Sequence, residues 1–204
     1  AAFMGEISSG VTTMVFNFLI LGLTGNTGIA AYGVVANVAL VATAVFNGIS
    51  QGSQPLLSDY YGKNDDKSVQ KILRLSIITG IAAAVLIILV TNLIPDVIVA
   101  VFNNENNAEM ASYAVFGVQL YFTGFLFAGF NIIGTGFLSA TESAAWAFIT
   151  SVLRGFVAIS LCALLLSALF GMTGVWLAFP VAEFITSVLM VIAIAQNVRK
   201  MRTK

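Results

Sequence analysis

Glu183 is the residue whose setting demands most explanation. It stands in VWLAFPVAEFITSVLM, an otherwise apolar stretch about midway along the last long hydrophobic run. A charged side chain at the centre of a membrane helix costs roughly 2.5–3.5 kcal/mol. Exclusion of water there favours the protonated form of the carboxyl. Such a group can carry an ion across a membrane, or it can serve as a neutral hydrogen-bonding Glu between helices. Pro180 lies three residues earlier, where it frees a backbone carbonyl and offers a place for the helix to bend. Glu6 is the second acidic candidate. Glu6, Ser9, Thr13 and Asn17 recur at helical spacing in GEISSGVTTMVFNFL and therefore share one face. A polar stripe on an apolar helix is expected to face the protein interior or water rather than lipid. Glu6 is equally readable as an interfacial carboxylate near a helix start. Asn131 adds an amide to the fourth run. Arg154 is a possible buried counter-ion, but a snorkelling residue near a helix end is the expected reading.

Other chemistries are poorly served. The chain has no His, the commonest general base and metal ligand. It has one cysteine, Cys162, in an apolar run, so an intrachain disulfide is impossible and a buried inert thiol is expected. An intramembrane serine protease would need a His, and an aspartyl protease two mid-membrane Asp; Asp59 and Asp96 fall at helix ends. Without a glycine-rich phosphate loop bearing Lys, no ATP hydrolysis is expected. The expectation is of a protein that is not an enzyme and needs neither metal nor cofactor.

The elements that must position these residues are legible in the composition. Hydrophobic residues make up 59% of the 204 positions and charged residues 9%, against about 25% charged in a soluble domain. Lipid must therefore be the main solvent. Apolar runs long enough to span about 30 Å recur at roughly 4–24, 29–52, 72–94, 111–137, 146–169 and 174–196. The fold expected is all-α: a six-helix transmembrane bundle occupying residues 1–204. The runs are continuous rather than alternating, which excludes a β-barrel. Polar connections are expected at 58–70 and 96–110. All nine basic residues fall in the connections after the even runs or in the tail: Lys63, Lys67, Lys71, Arg74, Arg154, Arg199, Lys200, Arg202 and Lys204. By the positive-inside rule those ends, and both ends of this segment, face the cytoplasm. With nine basic and nine acidic residues balanced, no nucleic-acid partner is expected. Gly124, Gly129, Gly134 and Gly136 imply bending or tight packing in the fourth run. Phe122, Phe125, Phe127 and Phe130 there imply core or lipid packing, or an aromatic cavity for hydrophobic cations.

Several segments resemble the multidrug and toxic compound extrusion (MATE) family. The most specific is Gly52-Ser53-Gln54-Pro55-Leu56, followed by Tyr60 and Gly62, within AAYGVVANVALVATAVFNGISQGSQPLLSDYYG. GEISSGVTTMVFNFLILGLTGN resembles the seventh helix of the bacterial DinF-like branch, and GVWLAFPVAEFIT its last helix. The resemblance covers essentially the whole chain. It implies helices seven to twelve of a twelve-helix antiporter, with a six-helix N-terminal lobe as the missing partner. It further implies residence in a bacterial inner membrane and export of amphipathic, often cationic compounds in exchange for H⁺ or Na⁺. On that reading Glu183 and Glu6 are ion-coupling candidates, and Ser9, Thr13, Asn17 and Asn131 face the substrate cavity. A lipid-linked oligosaccharide flippase of the same superfamily and a non-transporting membrane scaffold are the alternatives.

Overall fold

The computed structural model describes residues 2–104 and 106–201, with side chains from Gly10 onward. Those residues form helices and turns, without a strand among them. The helices are α1 (Ala2–Gly62), α2 (Asp66–Leu93), α3 (Pro95–Ala100), α4 (Ala108–Tyr121), α5 (Phe125–Ala140), α6 (Ala144–Val152) and α7 (Ile159–Met201). A 3₁₀ turn, Phe122–Gly124, joins α4 to α5, and a π-helical turn, Leu153–Ala158, joins α6 to α7. Among the described residues, four continuous stretches are long and apolar enough to cross a membrane: 10–62, 66–93, 108–140 and 144–201.

The first and last of these are far longer than the ~20 residues a bilayer needs, and each is broken once by glycine. Gly25 has φ 66° and Gly171 φ 58°, left-handed values that residues with a Cβ rarely adopt. At Gly25 the chain doubles back. Phe16 stacks on Tyr32 with ring centroids 5.2 Å apart, and a β-carbon on Gly28 would collide with Ile20 and Thr24. At the second break, a β-carbon on Gly174 would stand 1.8 Å from the Leu166 carbonyl oxygen. The two corners are neighbours, since Thr24 Oγ1 lies 3.9 Å from Met172 Sδ.

Several boundaries depart from the sequence reading. The second apolar run continues as helix through Pro55 to Gly62, so only residues 63–65 remain as the turn within the expected polar connection. Asn64 turns the chain at φ 54°. Asp65 then caps α2, its carboxylate accepting from the Ser68 amide at 3.1 Å and the Ser68 hydroxyl at 2.6 Å. The expected connection at 96–110 likewise contains α3, with Pro95 in its first turn. In α7 the non-helical residue is Gly171, and helical geometry runs on through Pro180. The chain reverses at Gly171, in the gap between the apolar runs 146–169 and 174–196, where glycine permits it.

α5 is the central rod, packed on α1, α2 and α7. Its glycines are what allow this. A β-carbon on Gly134 would meet Met190 Sδ at 2.5 Å, and one on Gly136 would meet Ser50 Oγ at 2.0 Å. Phe122 and Phe125 are buried in the main core cluster, while apolar residues such as Ile78, Val85, Leu86 and Val188 are exposed. That distribution is the one expected where lipid is the solvent.

Candidate functional site

Glu183 is 3% exposed. It projects from the second arm of α7 toward α5 and the π-helical turn. Arg154 Nε donates to Glu183 Oε1 at 2.5 Å. Asn131 Nδ2 donates to Glu183 Oε2 at 2.7 Å and to the Glu183 backbone carbonyl at 2.9 Å. Ser187, one turn beyond Glu183, donates to the same carbonyl at 2.9 Å and to Asn131 Oδ1 at 3.2 Å. Both carboxylate oxygens and the amide of Asn131 are thus satisfied inside an apolar bundle, as buried polar groups must be.

The arrangement corrects the expectation for Arg154. Its guanidinium does not snorkel to a helix end; it turns inward to Glu183, and the side chain is only 27% exposed. The π-helical turn that carries it explains how. A π-turn inserts an extra residue per turn, leaves carbonyls poorly satisfied, and is frequent at functional sites. One such carbonyl, that of Gly155, accepts from Thr12 Oγ1 at 3.2 Å. The first arm of α1 therefore leans on the same turn that presents Arg154.

The remaining candidates are distributed differently. Asn131 is fully buried and held by Glu183 and Ser187, so it does not line an open cavity with Thr13 and Asn17. Thr13 is exposed yet hydrogen-bonds to the Tyr32 side chain, and Asn17 is half-buried. The side chains of Glu6 and Ser9 lie outside the described residues. Pro180 is buried in the α7 arm that carries Glu183. Beside Pro180, Phe179 stacks on Tyr121 at 4.2 Å, and the Tyr121 phenol lies within electrostatic reach of Glu183 and Arg154. Among the described residues no cluster of acidic, His or Cys side chains could hold a metal.

The Gly52–Gly62 motif occupies another part of the bundle. Gln54 and Pro55, with Gln51 and Ser58, line one wall of a groove of about 350 Å³ whose other wall is Ser139 and Ala140 of α5. Gln54 Nε2 reaches Ser50 Oγ at 3.4 Å, and Ser50 in turn reaches the Ile132 carbonyl at 3.4 Å. The motif thus seats the second arm of α1 on α5. Tyr60 packs against the smaller core cluster.

The MatE family model matches residues 1–164. The chain belongs to the MatE family. Among curated relatives, the multidrug export protein MepA of Staphylococcus haemolyticus is 30% identical over 190 residues, 92% of this chain and 40% of that protein. MepA of Staphylococcus aureus is 28% identical over 182 residues, 89% of this chain and 39% of that protein. This MatE chain therefore spans about 40% of the length of those relatives. Solved structures share its fold. A multidrug resistance MATE transporter in an inward-facing conformation superposes with a TM-score of 0.93, at 10% identity, over 98% of this chain and 46% of that one. The Vibrio cholerae MATE transporter VcmN in its bent form gives 0.90 at 15% identity, over 99% of this chain and 45% of that one. The described residues of this MatE chain are thus helical and multi-pass, and they share the fold of one lobe of the solved MATE structures.

Sequence reasoning named Arg154 as a possible counter-ion but favoured snorkelling, and it missed the contacts of Ser187 and Thr12. Ser187 carried a usable signal, since it lies at i+4 from Glu183 and so shares its helical face.

Proposed function

We propose that this MatE chain is one lobe of a secondary active multidrug exporter, which exchanges amphipathic or cationic compounds for H⁺ or Na⁺ by alternating access. Glu183 is its ion-coupling residue. The observation that carries the reading is the buried Arg154–Glu183–Asn131 cluster. Three elements meet there on one ionisable carboxyl, in a lobe whose neighbouring surfaces are apolar.

The mechanism follows from competition. An Arg guanidinium is charged throughout the accessible pH range, so it holds the Glu183 carboxylate for as long as nothing displaces it. A proton or a cation arriving at Glu183 removes the attraction and frees Arg154. The π-helical turn and the second arm of α7 then separate at lower cost. Arg154 returns to Glu183 once the proton or cation has left. A site whose ion affinity differs between two arrangements links ion movement to that conformational equilibrium by reciprocity. Arg154 is thereby engaged, which leaves it unsuited to holding a lipid pyrophosphate and disfavours the flippase alternative. The polar groove along Gln51, Gln54 and Ser58, with Thr13 and Asn17, faces the second lobe and the substrate path. The membrane is a bacterial inner membrane, with residues 63–65 on the cytoplasmic side.

The decisive experiment is Glu183→Gln in the full-length protein, reconstituted in vesicles with an imposed pH or Na⁺ gradient. Insertion is expected to survive and gradient-driven efflux to be lost. Normal efflux by this variant across pH would make Glu183 structural. A cysteine placed at Asn64 in a Cys162→Ala background tests the orientation. It is expected to be labelled from the cytoplasmic side only, and strong labelling from outside would reverse the topology.

A further inference from the structure

On the basic end of the bundle, away from the Glu183 cluster, α2 and α7 diverge and leave a groove of about 440 Å³. Its walls are Ile77 of α2, Phe130 of α5, and Val191, Ile194, Ala195 and Val198 of α7. Arg199 completes the lining at the groove's end. The outer walls continue into exposed apolar surface, with Ile78 and Ile81 on α2 and Val188 and Ile192 on α7. On the α2 side, Arg74 is exposed. It lies three residues, about 4.5 Å along the axis, nearer the basic end than Ile77 and on the same helical face.

Arg199 thus closes the apolar slot on the α7 side, and Arg74 stands one turn beyond Ile77 on the same face of α2. An apolar slot alone would accept any acyl chain. Cations placed only at its end add a requirement for negative charge at the headgroup. Lys67 and Lys71 precede Arg74 at spacings of seven and three residues and are exposed along the same helix, which extends the positive potential. Juxtamembrane basic residues each contribute about 1 kcal/mol toward anionic lipid. Arg presents a planar donor fork that matches a phosphate.

We propose that this groove is a binding site for one anionic phospholipid of the surrounding bilayer. An acyl chain lies along Ile77, Phe130, Val191 and Ile194, and the phosphate sits between Arg199 and Arg74. The site differs from the proposed transport path in position and in ligand, and it holds whether or not Glu183 couples transport.

The test uses the full-length transporter, purified in detergent, exchanged into phosphatidylglycerol or phosphatidylcholine, and examined by native mass spectrometry. Wild type is expected to retain one phosphatidylglycerol that survives conditions stripping phosphatidylcholine. Arg199→Gln and Arg74→Gln are each expected to lower that preference about fivefold. Ala195→Trp, at an exposed position on the groove wall, is expected to remove the tightly held lipid regardless of headgroup, with the elution profile and helical content unchanged. Retention of the same lipid number and preference by all three variants would overturn the proposal. So would loss of a dimer, rather than of a lipid, in Ala195→Trp, because the groove would then be an interface between two copies.

Discussion

Asn131 holds Glu183 at two points with one nitrogen: its amide stands 2.7 Å from the carboxylate and 2.9 Å from the backbone carbonyl of the same residue. The relationship fixes the rotation of the α7 arm relative to α5 and the aim of the carboxylate together. Asn131→Ala removes the donor and leaves both acceptors buried. A buried polar group left without its partner costs about 1–3 kcal/mol, so a lower thermal unfolding midpoint of the full-length protein in detergent is expected. An unchanged midpoint would mean that another group supplies the missing bonds.

Arg154 and Glu183 make a pair whose members cannot be removed singly without consequence. Removing one partner of a buried ion pair costs about 3–5 kcal/mol, whereas replacing both with apolar residues is often close to neutral. Arg154→Met and Glu183→Met should each destabilise the protein, toward the low end of that range because Arg154 is partly exposed. The double variant should be more stable than the sum of the two predicts. Additive losses in a double-mutant cycle would show that the pair is not coupled.

Gly136→Ala is expected to destabilise by about 1–3 kcal/mol, the usual cost of overpacking, because the new methyl group would overlap Ser50 Oγ. Gly48→Ala is the matched control. It lies in helix with no atom within 4 Å of the added carbon, and it should be neutral or slightly stabilising. Thermal unfolding of the two variants side by side distinguishes a packing effect from a general glycine effect.

Asp65 predicts a pH dependence at the start of α2. Hydrogen bonds from the Ser68 side chain and amide hold its carboxyl below the usual carboxylate range. A carboxyl whose folded-state pKa is depressed contributes stability above its unfolded value, and that contribution is lost as pH falls through the folded one. Protection of the Ser68 amide against hydrogen exchange, corrected for intrinsic rate, should therefore hold at neutral pH and decline below the ordinary aspartate range, near pH 4. Asp65→Ala should show reduced protection at neutral pH and no such decline.

The polar positions inside the apolar runs were legible from the sequence, because a Glu or Asn surrounded by Val, Leu and Phe has no neighbours like itself. Their partners were not. Arg154 lies near the start of a hydrophobic run, where a long side chain usually reaches back to water. Only the π-helical turn rotates it inward, and no residue type specifies a π-turn. Helix ends were misplaced for a related reason. SDYYGK reads as loop by polarity, yet a helix projecting beyond the membrane can carry polar residues. The left-handed residue Asn64 and the cap Asp65 mark the real boundary. The reversals at Gly25 and Gly171 were legible, since each falls in the gap between two apolar runs, 4–24 and 29–52 or 146–169 and 174–196, while Pro55 and Pro180 lie within continuous helix.

Those one-residue reversals bear on how the arms can move. A reversal on Gly25 leaves no linker, so neither arm can slide along or tilt away from the other without moving the corner itself, and the same holds at Gly171. The two corners themselves offer little for a protease to cut or an antibody to grasp, which leaves the turn at residues 63–65 and the exposed connection at 101–104 as the accessible places to attach a reporter.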